Sequence, residues 1–129
     1  MYKRQRVHTL GKVSENEKKH LYLNCAAFAF PSLREGFGIP AIEAMTYGKP
    51  VFLANNTSLP EIGGEHAFFW DNFEIDHMTT VFLNGMQKYN KEKEFYSDWY
   101  KQRAASFTWE KAAKAYCEVY KKALFNYTL

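Results

Sequence analysis

Between Arg34 and Val51 the chain reads REGFGIPAIEAMTYGKPV, with two carboxylates, Glu35 and Glu43, eight positions apart around a Gly-Phe-Gly-Ile-Pro turn. Carboxylates are strong acceptors for hydroxyl groups. Gly36 and Gly38 carry no side chain to keep a ligand from the backbone, and the first N–H groups of a helix opening near Pro40 would lack intrahelical acceptors. Such a turn is suited to an anion, phosphate above all. A phosphorylated sugar combines both demands, an anionic group and a ring of hydroxyls. The competing reading is a tight turn made by the two glycines, with Glu43 only complementing the positive end of the helix. Composition and spacing leave the two readings level.

The elements that must position this stretch can be read on either side of it. Ser14 is a plausible N-cap and Glu15 and Glu17 favour a helix N-terminus, so Glu15 to Asn24 is expected to be helical. Ala26 to Phe30, AAFAF, closed by Pro31, is expected to be a strand buried on both faces. A helix should run from Pro40 to near Tyr47, with Gly48 as its left-handed stop, and Val51 to Ala54 should form a second buried strand. Strand, loop, helix and strand with short links make a parallel βαβ unit, whose ligands sit at the carboxyl ends of the strands. A third, shorter strand is expected at 67–70. Helices are expected over Ile75 to Tyr89, Glu94 to Ala105 and Trp109 to Phe125. In the last, Thr108 is the expected cap, and Ala112, Tyr116, Val119 and Ala123 form one apolar stripe; the aromatic residues of the three helices are read as core packing rather than a ligand cage.

At 129 residues, 47% of them hydrophobic and 24% charged, the chain has the make-up of one globular domain with a real core. Leu21 to Leu33 is too short for a bilayer span, and the basic start MYKRQR leads into polar residues, not an apolar signal segment. Cys25 and Cys117 are expected to be buried, reduced thiols in a cytoplasmic protein. The acceptor triplets beginning at Asn55, Asn56 and Asn126 are read as chance matches in that setting. From Ser32 to Asp76 there are two basic residues and seven acidic ones. No basic face interleaved with aromatics is present, which argues against a nucleic-acid surface. A Rossmann-like sheet should hold more strands than these, so the chain is expected to be a piece of a larger fold.

SLREGFGIPAIEAMTYGKPV resembles the E-x7-E signature of the retaining glycosyltransferases called group 1, or family four, whose fold has two facing Rossmann-like domains. GKVSENEKKHLYLNCAAFAFPS resembles the preceding strand, helix and strand of that family. NNTSLPEIGGEHAFFW resembles its Leu-Pro-Glu loop, and FTWEKAAKAYCEVYKKAL resembles its closing helix. The resemblance covers almost the whole chain after Arg6. It implies an α/β fold in which residues 1–129 are part of the C-terminal nucleotide-sugar-binding domain, a Rossmann-like half-domain with a helical C-terminal tail. Further donor-domain units and an N-terminal acceptor domain are expected upstream, and the isolated chain is expected not to catalyse transfer.

The same resemblance implies roles. Glu35 would bond a hydroxyl of the donor sugar near the reacting centre, and Glu43 would accept from the ribose hydroxyls of the nucleotide. Backbone amides around Gly36, Phe37 and Gly38 would reach the sugar, and those of Ile39 and the helix start would face the diphosphate. The implied partners are a nucleotide-diphosphate-sugar donor and a glycan or lipid-linked acceptor. No metal or other cofactor is implied, since His8, His20, His66 and His77 lack ligand spacing. The setting is cytoplasmic, with room for peripheral contact at the inner face of the membrane. Other readings are a non-catalytic nucleotide-sugar-binding module and a nucleotide-sugar epimerase of the same fold. A glycosidase using both glutamates leaves the anion-binding turn unexplained, and a phosphoacceptor domain lacks its acidic pair at a strand end.

Overall fold

The computed structural model describes residues 6–126; most of the basic start, 1–5, and the end of the third acceptor triplet, 127–128, lie outside them. The first element, α1 (Glu15–Asn24), begins as its sequence requires, with a reciprocal capping box. Glu17 accepts from the Ser14 N–H at 2.8 Å, while the Glu17 N–H donates to Ser14 Oγ at 3.3 Å. The bonds that the Ser14 N–H and the Ser14 hydroxyl donate to the carboxylate hold the Glu17 carboxyl below its ordinary range.

Strand β1 (Phe28–Phe30) is shorter than the expected Ala26 to Phe30 and is not buried on both faces. Phe28 and Phe30 are half-buried and Ala29 is exposed, because β1 is an edge of the sheet among the described residues. An apolar run reports the character of a strand, not the number of layers that cover it. Helix α2 (Ile39–Thr46) opens one residue earlier than expected, with Gly38 as N-cap and Pro40 inside the first turn. Gly48, at φ 67°, ends the segment in the left-handed conformation that the sequence called for.

Strand β2 (Val51–Ala54) is fully buried along its length. It pairs in parallel with β1, Phe28 opposite Val51 and Phe30 opposite Leu53. Strand β3 (Phe68–Trp70) pairs in parallel with its other edge, so the order is β1-β2-β3. Between β2 and β3 lie a five-residue helix, α3 (Leu59–Gly63), and a 3-10 turn (Gly64–His66), where the sequence reading saw only a loop. The start signal was there: Ser58 followed by Leu59, Pro60 and Glu61.

Three helices complete the chain: α4 (Ile75–Lys91), α5 (Lys93–Ala105) and α6 (Trp109–Asn126). Ala41, Ala44 and Met45 of α2 join Tyr100 and Ala104 of α5 in one core with β2. Tyr89 donates to the Gly48 carbonyl at 3.0 Å, tying α4 to the end of α2. Burial raises the hydroxyl pKa of Tyr89 and of Tyr100, whose O–H donates to the His66 carbonyl.

The core reading of α6 is corrected. Thr108 caps it as expected, accepting from the Lys111 N–H, but Tyr116 is 62% and Val119 60% exposed. Periodicity identifies an apolar face without saying what covers it. The burial expected of the cysteines is corrected too: Cys117 lies on exposed α6 and Cys25 is only half-buried, while both are free thiols, as expected.

Candidate functional site

The parallel sheet sends the loops after β1 and β2 to the same edge, and there they interlock. Glu35 is half-buried in the first loop, with Ser32 Oγ 3.4 Å from its Oε2. Its backbone is gripped from the second loop. The Glu35 N–H donates to Thr57 Oγ1 at 3.3 Å, and Ser58 Oγ lies 3.1 Å from the Glu35 carbonyl and 3.0 Å from that of Phe37. Phe37 meets the ring of Phe107 edge-on at 6.0 Å. The Arg103 guanidinium sits 4.9 Å from the centre of that same ring. It donates to the Ile62 carbonyl at 3.2 Å and to that of Glu61, so it caps the C-terminal end of α3. The loop is thus supported from α3 and from the α5–α6 junction.

The backbone N–H groups of Gly36, Phe37, Gly38 and Ile39 make no hydrogen bond to any other described residue. Pro40, next in line, has none to offer. Four consecutive unpaired donors at a helix N-terminus are an arrangement of the kind that suits an anion. The two glycines differ. A Cβ at Gly36 would meet nothing within 4 Å, whereas one at Gly38, where φ is 107°, would lie 2.9 Å from Leu59 Cδ2. Gly38→Ala is therefore expected to cost about 1–3 kcal/mol of stability. Gly36→Ala should leave stability nearly unchanged, since the added methyl meets no other atom, and should weaken binding of any anionic sugar donor that the open amides take. Thermal unfolding beside calorimetric titration of the full-length protein checks both.

Glu43 lies on the other side of α2, against α1. Its Oε1 is 2.9 Å from Lys18 Nζ, and its Oε2 accepts from Tyr22 Oη at 3.1 Å. Lys18 also reaches Glu15 at 3.0 Å, and Tyr22 stacks on Tyr47 at 5.9 Å. The bond to Glu43, then that to Glu15, raises the Lys18 ammonium pKa above its ordinary value; burial, then the Glu43 carboxylate, raises that of Tyr22. These residues line an open cleft of about 280 Å³ between α1 and α2. Two partners leave free lone pairs on a carboxylate that can take about four bonds, so Glu43 is oriented without being used up. The structure thus brings Glu35, Gly36, Phe37, Gly38 and Ile39 into one loop, while Glu43 faces a separate cleft one helical turn on. Among the described residues no group of three or more His, Cys, Asp or Glu side chains is placed to share a cation.

A sequence profile of the family described as glycosyl transferases group 1 matches residues 3–102, a span that holds Glu35, the open amides of 36–39, Glu43 and the residues hydrogen-bonded to either glutamate. The chain belongs to this family. Its three parallel strands with flanking helices are a Rossmann-like portion of that fold. Among curated relatives of this group 1 chain, it is 33% identical over 112 residues to O-antigen chain mannosyltransferase B of Escherichia coli, covering 87% of the chain and 29% of the relative. It is 33% identical over 122 residues to MMP alpha-(1->4)-mannosyltransferase of Mycolicibacterium hassiacum, covering 92% of the chain and 29% of that protein. With O-antigen chain mannosyltransferase RfbU of Salmonella typhimurium it shares 46% identity over 52 residues, which is 40% of the chain and 15% of the relative. The chain therefore spans less than a third of the length of these relatives.

Four residues of this group 1 site were not singled out in the sequence: Lys18, Tyr22, Thr57 and Ser58. A signal existed for the last two. Parallel pairing puts the residues after Ala54 beside those after Phe30, so the polar run Asn55 to Ser58 had to lie next to the Glu35 loop. For Lys18 and Tyr22 the spacing of four places both on one face of α1, but nothing local says that this face meets Glu43.

Proposed function

We propose that this chain is the donor-binding part of a glycosyltransferase that moves a hexosyl unit from a nucleotide-diphosphate sugar to a glycan or lipid-linked acceptor, with retention at the anomeric carbon. The observation that carries the reading is the row of unpaired N–H groups from Gly36 to Ile39, next to Glu35, whose backbone is held by Thr57. Donors held in place before charge develops act without reorganisation, and a departing diphosphate is where negative charge grows. The amide of Ile39, at the α2 start, would take the diphosphate, those of Gly36 to Gly38 the sugar, and Glu35 a sugar hydroxyl near the reacting carbon. Glu43, turned toward α1, would receive the ribose hydroxyls. The helix terminus takes over part of the work of a cation, so no metal is required in this reading.

The names of the relatives support mannose as the transferred sugar. No helix among the described residues is long and apolar enough to cross a membrane. The proposed setting is the cytoplasm, at or near the inner membrane face, where lipid-linked glycan acceptors are presented. The test is transfer from a nucleotide-diphosphate mannose by the full-length protein, with the anomeric configuration of the product read by proton NMR and the assay repeated in EDTA. The α-configured product at an unchanged rate is expected from an α-linked donor. An inverted product, or loss of activity in EDTA, overturns the corresponding part of the proposal.

A further inference from the structure

The hydroxyl of Ser58 is in an unusual place. Serine is a favoured N-cap, and Ser58 occupies the N-cap position of α3, yet its side chain makes no bond to its own helix. It crosses instead to the neighbouring loop, where it lies within 3.1 Å of the Glu35 carbonyl and 3.0 Å of the Phe37 carbonyl. One hydroxyl proton is shared between two acceptors that flank Gly36. The peptide bonds here are trans, so each carbonyl points opposite to the N–H of the next residue. Turning the carbonyls of Glu35 and Phe37 toward Ser58 therefore turns the N–H groups of Gly36 and Gly38 away from it, to the side where neither has a protein partner.

Thr57 completes the grip. It accepts the Glu35 N–H, and it is the sole non-glycine residue with positive φ among the described residues, at 49°. A β-branched residue held there is strained, and such strain persists only where the surroundings fix it. On this basis, and resting on the donor-site reading above, we infer that Ser58 and Thr57 are positioning residues for the reaction. They aim the Gly36 and Gly38 amides and fix the backbone of Glu35 without touching the donor themselves.

The test compares Ser58→Ala, Ser58→Thr and Thr57→Val with Glu35→Gln in the full-length protein. Turnover with the nucleotide sugar, affinity for the free nucleoside diphosphate and Tm are measured for each. Ser58→Ala is expected to lower kcat at least tenfold and leave nucleoside diphosphate affinity within threefold, because the amides it aims serve the sugar. Ser58→Thr, which keeps the hydroxyl, should restore kcat to within threefold of the parent. Thr57→Val keeps the shape, removes the acceptor and should also lower kcat; it carries the test if Ser58→Ala does not fold. If Glu35→Gln abolishes transfer but Ser58→Ala and Thr57→Val leave kcat within threefold, the positioning role is overturned and the donor-site reading stands. Parallel losses of Tm, turnover and nucleoside diphosphate affinity, without rescue by Ser58→Thr, mean a structural role and overturn it as well. If Glu35→Gln leaves transfer unchanged, the site reading fails and this inference falls with it.

Discussion

Glu35→Ala is expected to lower turnover by about two to three orders of magnitude while leaving the fold almost as stable as before. The two halves of that expectation come from different atoms. The loop is held through the backbone of Glu35, by Thr57 Oγ1 and Ser58 Oγ, and the substitution leaves those bonds in place. The side chain itself has one long contact, 3.4 Å to Ser32 Oγ, so its removal should cost stability no more than about 0.5 kcal/mol. What is lost is a charged acceptor beside the row of open amides, in the position where a sugar hydroxyl would sit during transfer. Steady-state kinetics and thermal unfolding of the same preparation are the check. Turnover within threefold of the parent would sink the assignment of Glu35; a large fall in Tm would mean that the side chain serves the fold instead.

Glu43→Gln is expected to weaken binding of the free nucleoside diphosphate by about 10- to 150-fold, the cost of losing a charged acceptor worth about 1.5–3 kcal/mol. The geometry adds a second consequence. Glutamate can face Lys18 Nζ and Tyr22 Oη with an oxygen each, at 2.9 and 3.1 Å, but glutamine has only one oxygen and must turn an N–H2 donor to one of these donors. The Lys18 pair is partly exposed, so its loss costs little stability. A 2′-deoxynucleoside diphosphate should lose less on mutation than the ribonucleotide, because one hydroxyl partner is already missing. Glu35→Gln should leave both affinities nearly unchanged. Calorimetry with the two nucleotides decides the matter: a loss independent of the ribose 2′-hydroxyl would remove Glu43 from the nucleotide site.

Local chemistry was legible where it acts locally. The Ser14 and Glu17 capping box, the Gly48 stop and the parallel pair of β1 and β2 around α2 all follow from residues a few positions apart. The open amides were also legible in kind, since glycines before a helix start leave donors unpaired. What stayed hidden depends on contacts across the chain. Ser58 and Glu35 are 23 positions apart, and Lys18 and Glu43 are 25 apart, so no periodicity links either pair. The α6 stripe shows the same limit from the other side: Ala112, Tyr116, Val119 and Ala123 specify an apolar face, but whether a neighbour covers it is not a property of the helix. At α3 the miss was one of length, since Pro60 and Glu61 announced a helix start and five residues were too few to show a period.

The complete burial of β2 bears on how the molecule comes apart. A central strand with no exposed residue and partners on both edges can release its amide protons only when the sheet as a whole opens, whereas β1, paired on one side only among the described residues, can separate at lower free energy. The Glu35 loop hangs from the weaker strand, and Thr57 and Ser58 hang from the stronger. Fraying of β1 would therefore pull the loop against an anchor that has not moved, and the hydrogen bonds between the two loops oppose that fraying at the ligand edge of the sheet. A ligand seated on the same loop adds its own binding free energy to the cost of opening. Occupancy of the site is thereby coupled to the local stability of the strand that carries it.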